Sequence, residues 1–122
     1  MISSISSKGY VENTSCKYRV KLDKTLHLDY RKWRVALIDF MCESNETLLV
    51  CCNICQNSFI LDKQQPFLCI MRPDEPIYHP YYIPLRASAI DEIEITLLKL
   101  NGGVPTSVGT SAMLLHFKML PL

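Results

Sequence analysis

Apolar and polar residues alternate in two segments of the chain. From residue 16 to residue 22 every second residue is apolar, and Lys17, Arg19 and Lys21 stand between them. A similar period of two recurs over residues 112–119. A strand with one buried and one solvated face has this pattern. Both segments are therefore predicted to be amphipathic β-strands.

Other apolar segments lie between these two, and several are apolar on both alternating faces. Residues 33–41 contain two charged side chains, and a strand of this kind needs cover on both sides. Four prolines from residue 73 to residue 84 exclude a long helix there. Eight short strands are predicted, at residues 16–22, 33–41, 48–54, 58–61, 67–71, 77–83, 91–99 and 112–119. This pattern predicts an all-β fold, for which an eight-stranded antiparallel single jelly-roll sandwich is favoured and an immunoglobulin-like sandwich is the alternative.

The chain is predicted to consist of an arm and one domain. Residues 1–15 are rich in serine, which predicts a flexible N-terminal arm. Residues 16–122 are predicted to form the single jelly-roll domain, which is large enough to bury a core without disulfide bonds. More strands have two apolar faces than two stacked sheets with solvated outer sides require. The surplus predicts either partner subunits that cover an outer surface or a tightly packed core.

Candidate catalytic and metal-binding residues are scattered along the sequence. Cys52 and Cys55 have the spacing of half a zinc knuckle, but no second pair follows at a suitable distance, and a strand would point them to opposite faces. His27, His79 and His116 are far apart, and the carboxylates flank predicted strand ends. We therefore expect no catalytic residues, no cofactor and no metal, and hence no enzyme activity.

The six cysteines and the start of the chain bear on the compartment. The first eight residues lack the apolar core of a secretion signal, and no apolar run reaches the length of a membrane span. We expect a chain that is not secreted, that does not contact a membrane and that keeps its cysteines as buried free thiols.

Charge is nearly balanced over the whole chain but not along it. The 13 basic and 12 acidic residues argue against non-specific DNA binding as the main activity. Residues 17–34 nevertheless carry seven basic side chains against Asp23 and Asp29. This basic stretch predicts either an ordinary solvated face or a weak contact with packaged nucleic acid or with an acidic neighbour.

Two segments of the chain have specific patterns: Trp-x-Val-Ala-Leu-aliphatic-acid-aliphatic at residues 33–40, and a closing Leu-His-Phe-basic strand at residues 115–118. In these patterns the chain resembles the penton, or minor capsid, proteins of Polinton (Maverick) elements and of their adintovirus relatives. Further similar segments lie in the same order at residues 18–22, 49–54, 66–70, 82–85, 90–95 and 102–105. The three stretches that contain these segments, residues 18–40, 49–70 and 82–118, cover roughly two-thirds of the chain.

The resemblance implies a single jelly roll that forms a homopentamer and closes the five-fold vertices of an icosahedral capsid. Its partners would be its own copies and trimers of a double jelly-roll major capsid protein. It would be located in the virion capsid, and in the host cytoplasm or nucleus during assembly.

For the contact between subunits the strands with two apolar faces suggest Trp33, Phe40 and Phe67 as anchors. The loop at residues 101–111, with Asn101 and Val104, is expected at the rim of this contact. One alternative function is a pentameric jelly-roll binding module of the histone-chaperone or lectin type. A cupin-like enzyme is the other.

Overall fold

A computed structural model describes three-quarters of the chain in the form of β-strands and connecting loops. The described residues are 2–3, 16–42, 46–60, 63–72, 75, 77, 79–105 and 111–120. Within them the strands are β1 (Ile2–Ser3), β2 (Lys17–His27), β3 (Trp33–Cys42), β4 (Leu48–Cys52), β5 (Ser58–Ile60), β6 (Lys63–Gln65), β7 (Phe67–Met71), β8 (Ile83–Pro84), β9 (Ala89–Lys99) and β10 (Ser111–Met119).

Eight of these strands form two four-stranded antiparallel sheets. The first sheet has the order β1-β10-β3-β8, and the second has the order β2-β9-β4-β7. The short strands β5 and β6 pair with each other, in the connection between β4 and β7. No helix occurs in the part of the chain that the structure describes. The predicted all-β class, with eight strands in antiparallel sheets, is confirmed.

The core lies between the two sheets. In β9 the side chains of Ile93, Ile95 and Leu97 are buried, whereas Glu92 and Glu94 on the opposite face are only partly covered. Each buried aliphatic side chain of this kind contributes about 1.5–3 kcal/mol. Residues of both sheets form one apolar cluster: Tyr18, Val35, Leu37, Leu48, Val50, Cys52, Ile54, Cys55, Leu68, Met71, Leu85, Ile90, Ile93, Ile95, Leu97 and Met113.

Strand β4 shows that part of the apolar surplus is covered by the chain itself. All five of its residues are buried, so both faces of this central strand are shielded from solvent. For β4, the chain itself thus provides the cover, as expected for the predicted alternative of a tightly packed core, and no partner subunit is needed there.

A bulge in β3 changes which of its residues face the core. Leu114 of β10 lies opposite Asp39, but the next residue, Leu115, lies opposite Leu37. Ile38 is therefore the extra residue, and the alternation of β3 reverses at this position. Beyond the bulge Phe40 faces the core, and its neighbours on either side face outwards.

Seven of the eight predicted strands lie close to observed ones, and the prediction for residues 77–83 is wrong. The observed strand there is β8, Ile83–Pro84, and the described residues before it have no strand pairing. The prolines explain the difference, because a residue without an N–H group cannot donate to a sheet and is tolerated only at an edge, where β8 lies.

The predicted N-terminal arm is described at two positions. Ile2 and Ser3 form β1, which pairs with Met113 and Ala112 of β10. These two residues therefore belong to the first sheet, whereas residues 1 and 4–15 lie outside the described part of the chain.

Candidate functional site

The outer side of the first sheet carries a group of basic and aromatic residues. Lys118 of β10 lies directly opposite Arg34 of β3. Their neighbours Phe117 and Val35 pack towards the core, so Arg34 and Lys118 point away from it. By the same alternation His116, two residues before Lys118, faces outwards. We call Arg34, Tyr82, His116 and Lys118 the basic face.

Two rings of the basic face meet next to a small side chain. A hydrogen bond of 2.7 Å joins the Tyr82 hydroxyl and Nδ1 of His116. The ring centroids are 5.8 Å apart in an edge-to-face arrangement. Ala36, the cross-strand partner of His116, is fully buried although its position in β3 faces outwards. Ala36 thus lies opposite one member of the ring contact, and its small side chain is shielded from solvent.

The cationic groups of the basic face have no described acidic partner. The Lys118 ammonium lies 5.2 Å from the centre of the Tyr82 ring, a cation–π contact. Neither Arg34 nor Lys118 forms an ion pair with any residue that the structure describes. Two like charges therefore stand opposite each other on neighbouring strands, an arrangement that costs free energy.

On the outer side of the second sheet, basic residues are paired with acids. Arg19 Nε lies 3.2 Å from a Glu92 carboxylate oxygen, and Lys17 Nζ lies 4.0 Å from one of Glu94. Both pairs join β2 to β9, and Lys21 lies opposite Glu92 in the register. We call these five residues the paired face. The basic stretch predicted from the sequence is therefore divided between two sheets, and its first three basic residues lie beside glutamates.

Further along the second sheet, the outward residues are apolar. Leu49 of β4 lies between Leu98 of β9 and Ile70 of β7. Leu49 is buried, whereas Ile70 is exposed. Cys51, two residues after Leu49, is also buried, and its thiol donates to the side-chain oxygen of Gln65 in β6 over 3.6 Å. The β5–β6 hairpin thus contacts this side of β4.

Cys52 and Cys55, which have the spacing of half a zinc knuckle, are arranged differently from the prediction. Cys52 ends β4, a turn follows at Asn53 and Ile54, and Cys55 pairs with Leu85. Both cysteines lie in the core cluster, so the prediction that they point to opposite faces of one strand is wrong. A hydrogen bond with Cys52, followed by burial, raises the pKa of the Cys55 thiol. In the described residues no three His, Cys, Asp or Glu side chains are close enough to hold a metal ion.

The predicted interface residues are divided between the core and the surface. Trp33 and Phe40 are partly buried and pack against the core cluster, and Phe67 is partly buried in β7. Asn101 and Val104 are exposed in the loop after β9, and Val104 is 69% exposed. Of the residues predicted for the contact, those in the loop are the most accessible.

Two residues that were not predicted for the contact between subunits, Met41 and Leu114, are exposed on the outer side of the first sheet. Met41 is 58% exposed, and it lies two residues beyond Asp39, the partner of Leu114. Without the bulge at Ile38 the alternation of β3 would place Met41 in the core. The orientation of Leu114 could have been read from the alternation of β10.

Two clefts contain polar groups that are held by contacts within the chain. One, of about 290 Å³, is lined by Asn53, Arg86, Asp91 and Glu92 among others. The Asn53 side chain donates to the Glu92 carbonyl over 3.0 Å and accepts from the Glu94 amide over 2.7 Å, so it continues the ladder between β4 and β9. The other, of about 190 Å³, lies beside β7 and includes an ion pair of 4.0 Å between Arg72 and Glu75. The Asn53 side chain thus joins two strands, whereas the exposed pair of Arg72 and Glu75 contributes little to stability.

Comparisons of the chain with protein-family models, with curated proteins and with solved structures found no match. None of the described segments is a helix long and apolar enough to cross a membrane. The described chain is thus an all-β protein of two sheets, with the basic face on the outer side of the first sheet and the paired face on the outer side of the second.

Proposed function

We propose that the two sheets form a single jelly roll. Counted along the chain without the β5–β6 hairpin, the first strand pairs with the eighth, the second with the seventh, the third with the sixth and the fourth with the fifth. Such nested pairs arise when a long antiparallel ribbon is folded at its middle. Rolling up this ribbon adds the pairs β3–β10 and β4–β9, which are both present. The strand order is the observation that carries the proposal.

We further propose that the protein is a penton, or minor capsid, protein that forms a homopentamer at the five-fold vertices of an icosahedral capsid. Eight-stranded jelly rolls occur in viral capsids, lectins and cupins. The capsid function is favoured because the strand order agrees with the fold expected of penton proteins. In addition, the two most specific segments of resemblance, residues 33–40 and 115–118, lie side by side as β3 and β10.

Exposed apolar residues on both sheets support assembly into a ring. A closed ring uses two different, complementary surfaces on every subunit. The first sheet exposes Met41 and Leu114, and the second exposes Ile70. We assign the contact between subunits to the part of the first sheet around Met41 and Leu114 and to the part of the second sheet around Ile70, with the exposed Val104 of the loop at the rim.

Native mass spectrometry of the purified chain tests the assembly. The expected species has five times the 14.0 kDa mass of one chain. Leu114→Lys and Ile70→Lys each place a charge in the proposed contact and should give monomers. Leu26→Lys is the matched control, because Leu26 is similarly exposed but lies outside the contact. A chain that remains monomeric at high concentration would contradict the proposal.

Reconstitution with a double jelly-roll major capsid protein tests the position in the capsid. Electron microscopy of the particles should show the pentamer at the vertices. Pentamers that bind histones or glycans, and that do not enter the particles, would instead favour the binding-module function.

A further inference from the structure

We propose that the basic face of the first sheet binds the phosphate backbone of nucleic acid. All four residues of this face, Arg34, Tyr82, His116 and Lys118, belong to one chain. The inference therefore does not depend on the assembly proposed above, and it can be tested on a monomer. In a capsid, the ligand of this face would be the packaged genome.

The uncompensated charge is the first argument. Arg34 and Lys118 stand opposite each other without a described ion-pair partner. An anion bound between them would relieve this repulsion. The exposed Lys32 adds a third charge at the same end of the two strands, where its carbonyl accepts a hydrogen bond from the amide of Leu120.

The acidic residue on the same two strands is too far away to neutralise the basic face. Asp39 is the single carboxylate in β3 and β10. It lies five residues from Arg34, a distance of roughly 16 Å along a strand. This exceeds the screening length of about 8 Å at physiological salt. Asp29, in the turn before β3, pairs with Arg31. Among the residues that the structure describes, the basic face therefore has no carboxylate partner of its own, although the whole chain is nearly neutral.

The clustered charges and the rings favour nucleic acid over other anions. Arg34 on β3 lies opposite Lys118 on β10, and Lys32 lies two residues before Arg34, in the turn that precedes β3. Three cationic groups clustered in this way can meet several phosphates of a repeating polyanion at once. Tyr82 and His116 add aromatic rings beside these groups, a combination typical of surfaces that bind single strands by stacking. Of the exposed apolar residues of the first sheet, Met41 and Leu114 lie nearer the other end, whereas Met119 lies beside Lys118, so lipid vesicles belong in the test below.

Fluorescence anisotropy with labelled single-stranded and duplex oligonucleotides of random sequence tests the proposal. With about three phosphate contacts, binding should weaken roughly 40-fold between about 50 and 200 mM salt. The double variant Arg34→Gln/Lys118→Gln should lose at least about tenfold in affinity at low salt, and its salt slope should fall by about two. Arg34→Lys keeps the charge and should retain most of the binding.

The paired face provides the matched control. Lys17→Gln/Lys21→Gln removes the same formal charge from the second sheet and should change the affinity less than about twofold. Circular dichroism and native mass must show that all variants are folded and in the same oligomeric state. Absence of binding by the unmodified chain would overturn the proposal, as would equal losses in the two double variants. Equal affinity for phosphatidylserine vesicles or for polyglutamate would also overturn it, because any anionic surface would then suffice.

Discussion

The outer faces of the two sheets differ in how many of their charged side chains have an ion-pair partner and how many of their apolar side chains are buried. On the second sheet, Arg19 lies in an ion pair with Glu92, and the outward-facing Leu49 is buried. On the first sheet, Arg34 and Lys118 stand opposite each other without a described acid. The chain itself thus pairs or covers many of the outward side chains of the second sheet, whereas the first sheet has groups that no described residue neutralises or covers. Matched substitutions on the two sheets test whether this difference holds.

The largest difference is expected between two outward-facing leucines. Leu49 is 1% exposed and Leu114 is 40% exposed. Leu49→Ala should destabilise the fold by about 2–5 kcal/mol, because it leaves a cavity in a covered site. Leu114→Ala should cost less than about 1 kcal/mol in a monomer. Urea unfolding measures both values, and similar costs would show that the two faces are equally covered.

A second contrast concerns Ala36, opposite the ring contact. Ala36→Leu should cost about 1–3 kcal/mol, because a larger side chain has to be accommodated at a fully buried position beside the rings of Tyr82 and His116. Thr96→Leu, at a partly exposed outward position of β9, should cost much less. In a Tyr82→Ala background the cost of Ala36→Leu should fall, which a double-mutant cycle measures. An unchanged cost would show that Tyr82 does not cover Ala36.

The sequence predicted the all-β class and seven of the strands because alternation is a local property of the chain. It could not predict the orientation of Met41, since that depends on the bulge at Ile38, which appears only when β3 is aligned with β10. The basic face was missed for a similar reason. Arg34 and Lys118 are 84 positions apart, and no local pattern brings them together. Tyr82 lies within residues 77–83, which were wrongly predicted as a strand.

A third prediction uses pH to test how well the second sheet shields an outward-facing thiol from solvent. Burial raises the pKa of Cys51, on the outward side of β4, from 9.0 to about 11. Between these values the unfolded chain loses the thiol proton while the folded chain keeps it, so stability falls as pH rises. Cys51→Ala should therefore lose less stability than the unmodified chain from about pH 9 to about pH 11.

Urea unfolding midpoints, measured at several pH values in this pH range, show how steeply the stability of each variant falls with pH. Leu98→Ala is the control. Leu98→Ala removes a neighbouring outward side chain but no titratable group. It should therefore lower the stability at every pH without changing how steeply stability falls with pH. A slope unaffected by Cys51→Ala would mean that solvent reaches this thiol in the folded state.

The smallest effects are expected from the charges, and their signs should be opposite on the two faces. Arg19→Gln removes an ion pair that is partly exposed, so it should destabilise the chain by about 0.2–1 kcal/mol. Arg34→Gln removes one of two opposed cations and should stabilise the chain by a similar amount. At about 1 M salt, where charges are screened beyond roughly 3 Å, both differences should shrink. Urea unfolding at low and high salt measures them, and the same sign for both variants would remove the electrostatic distinction between the two sheets.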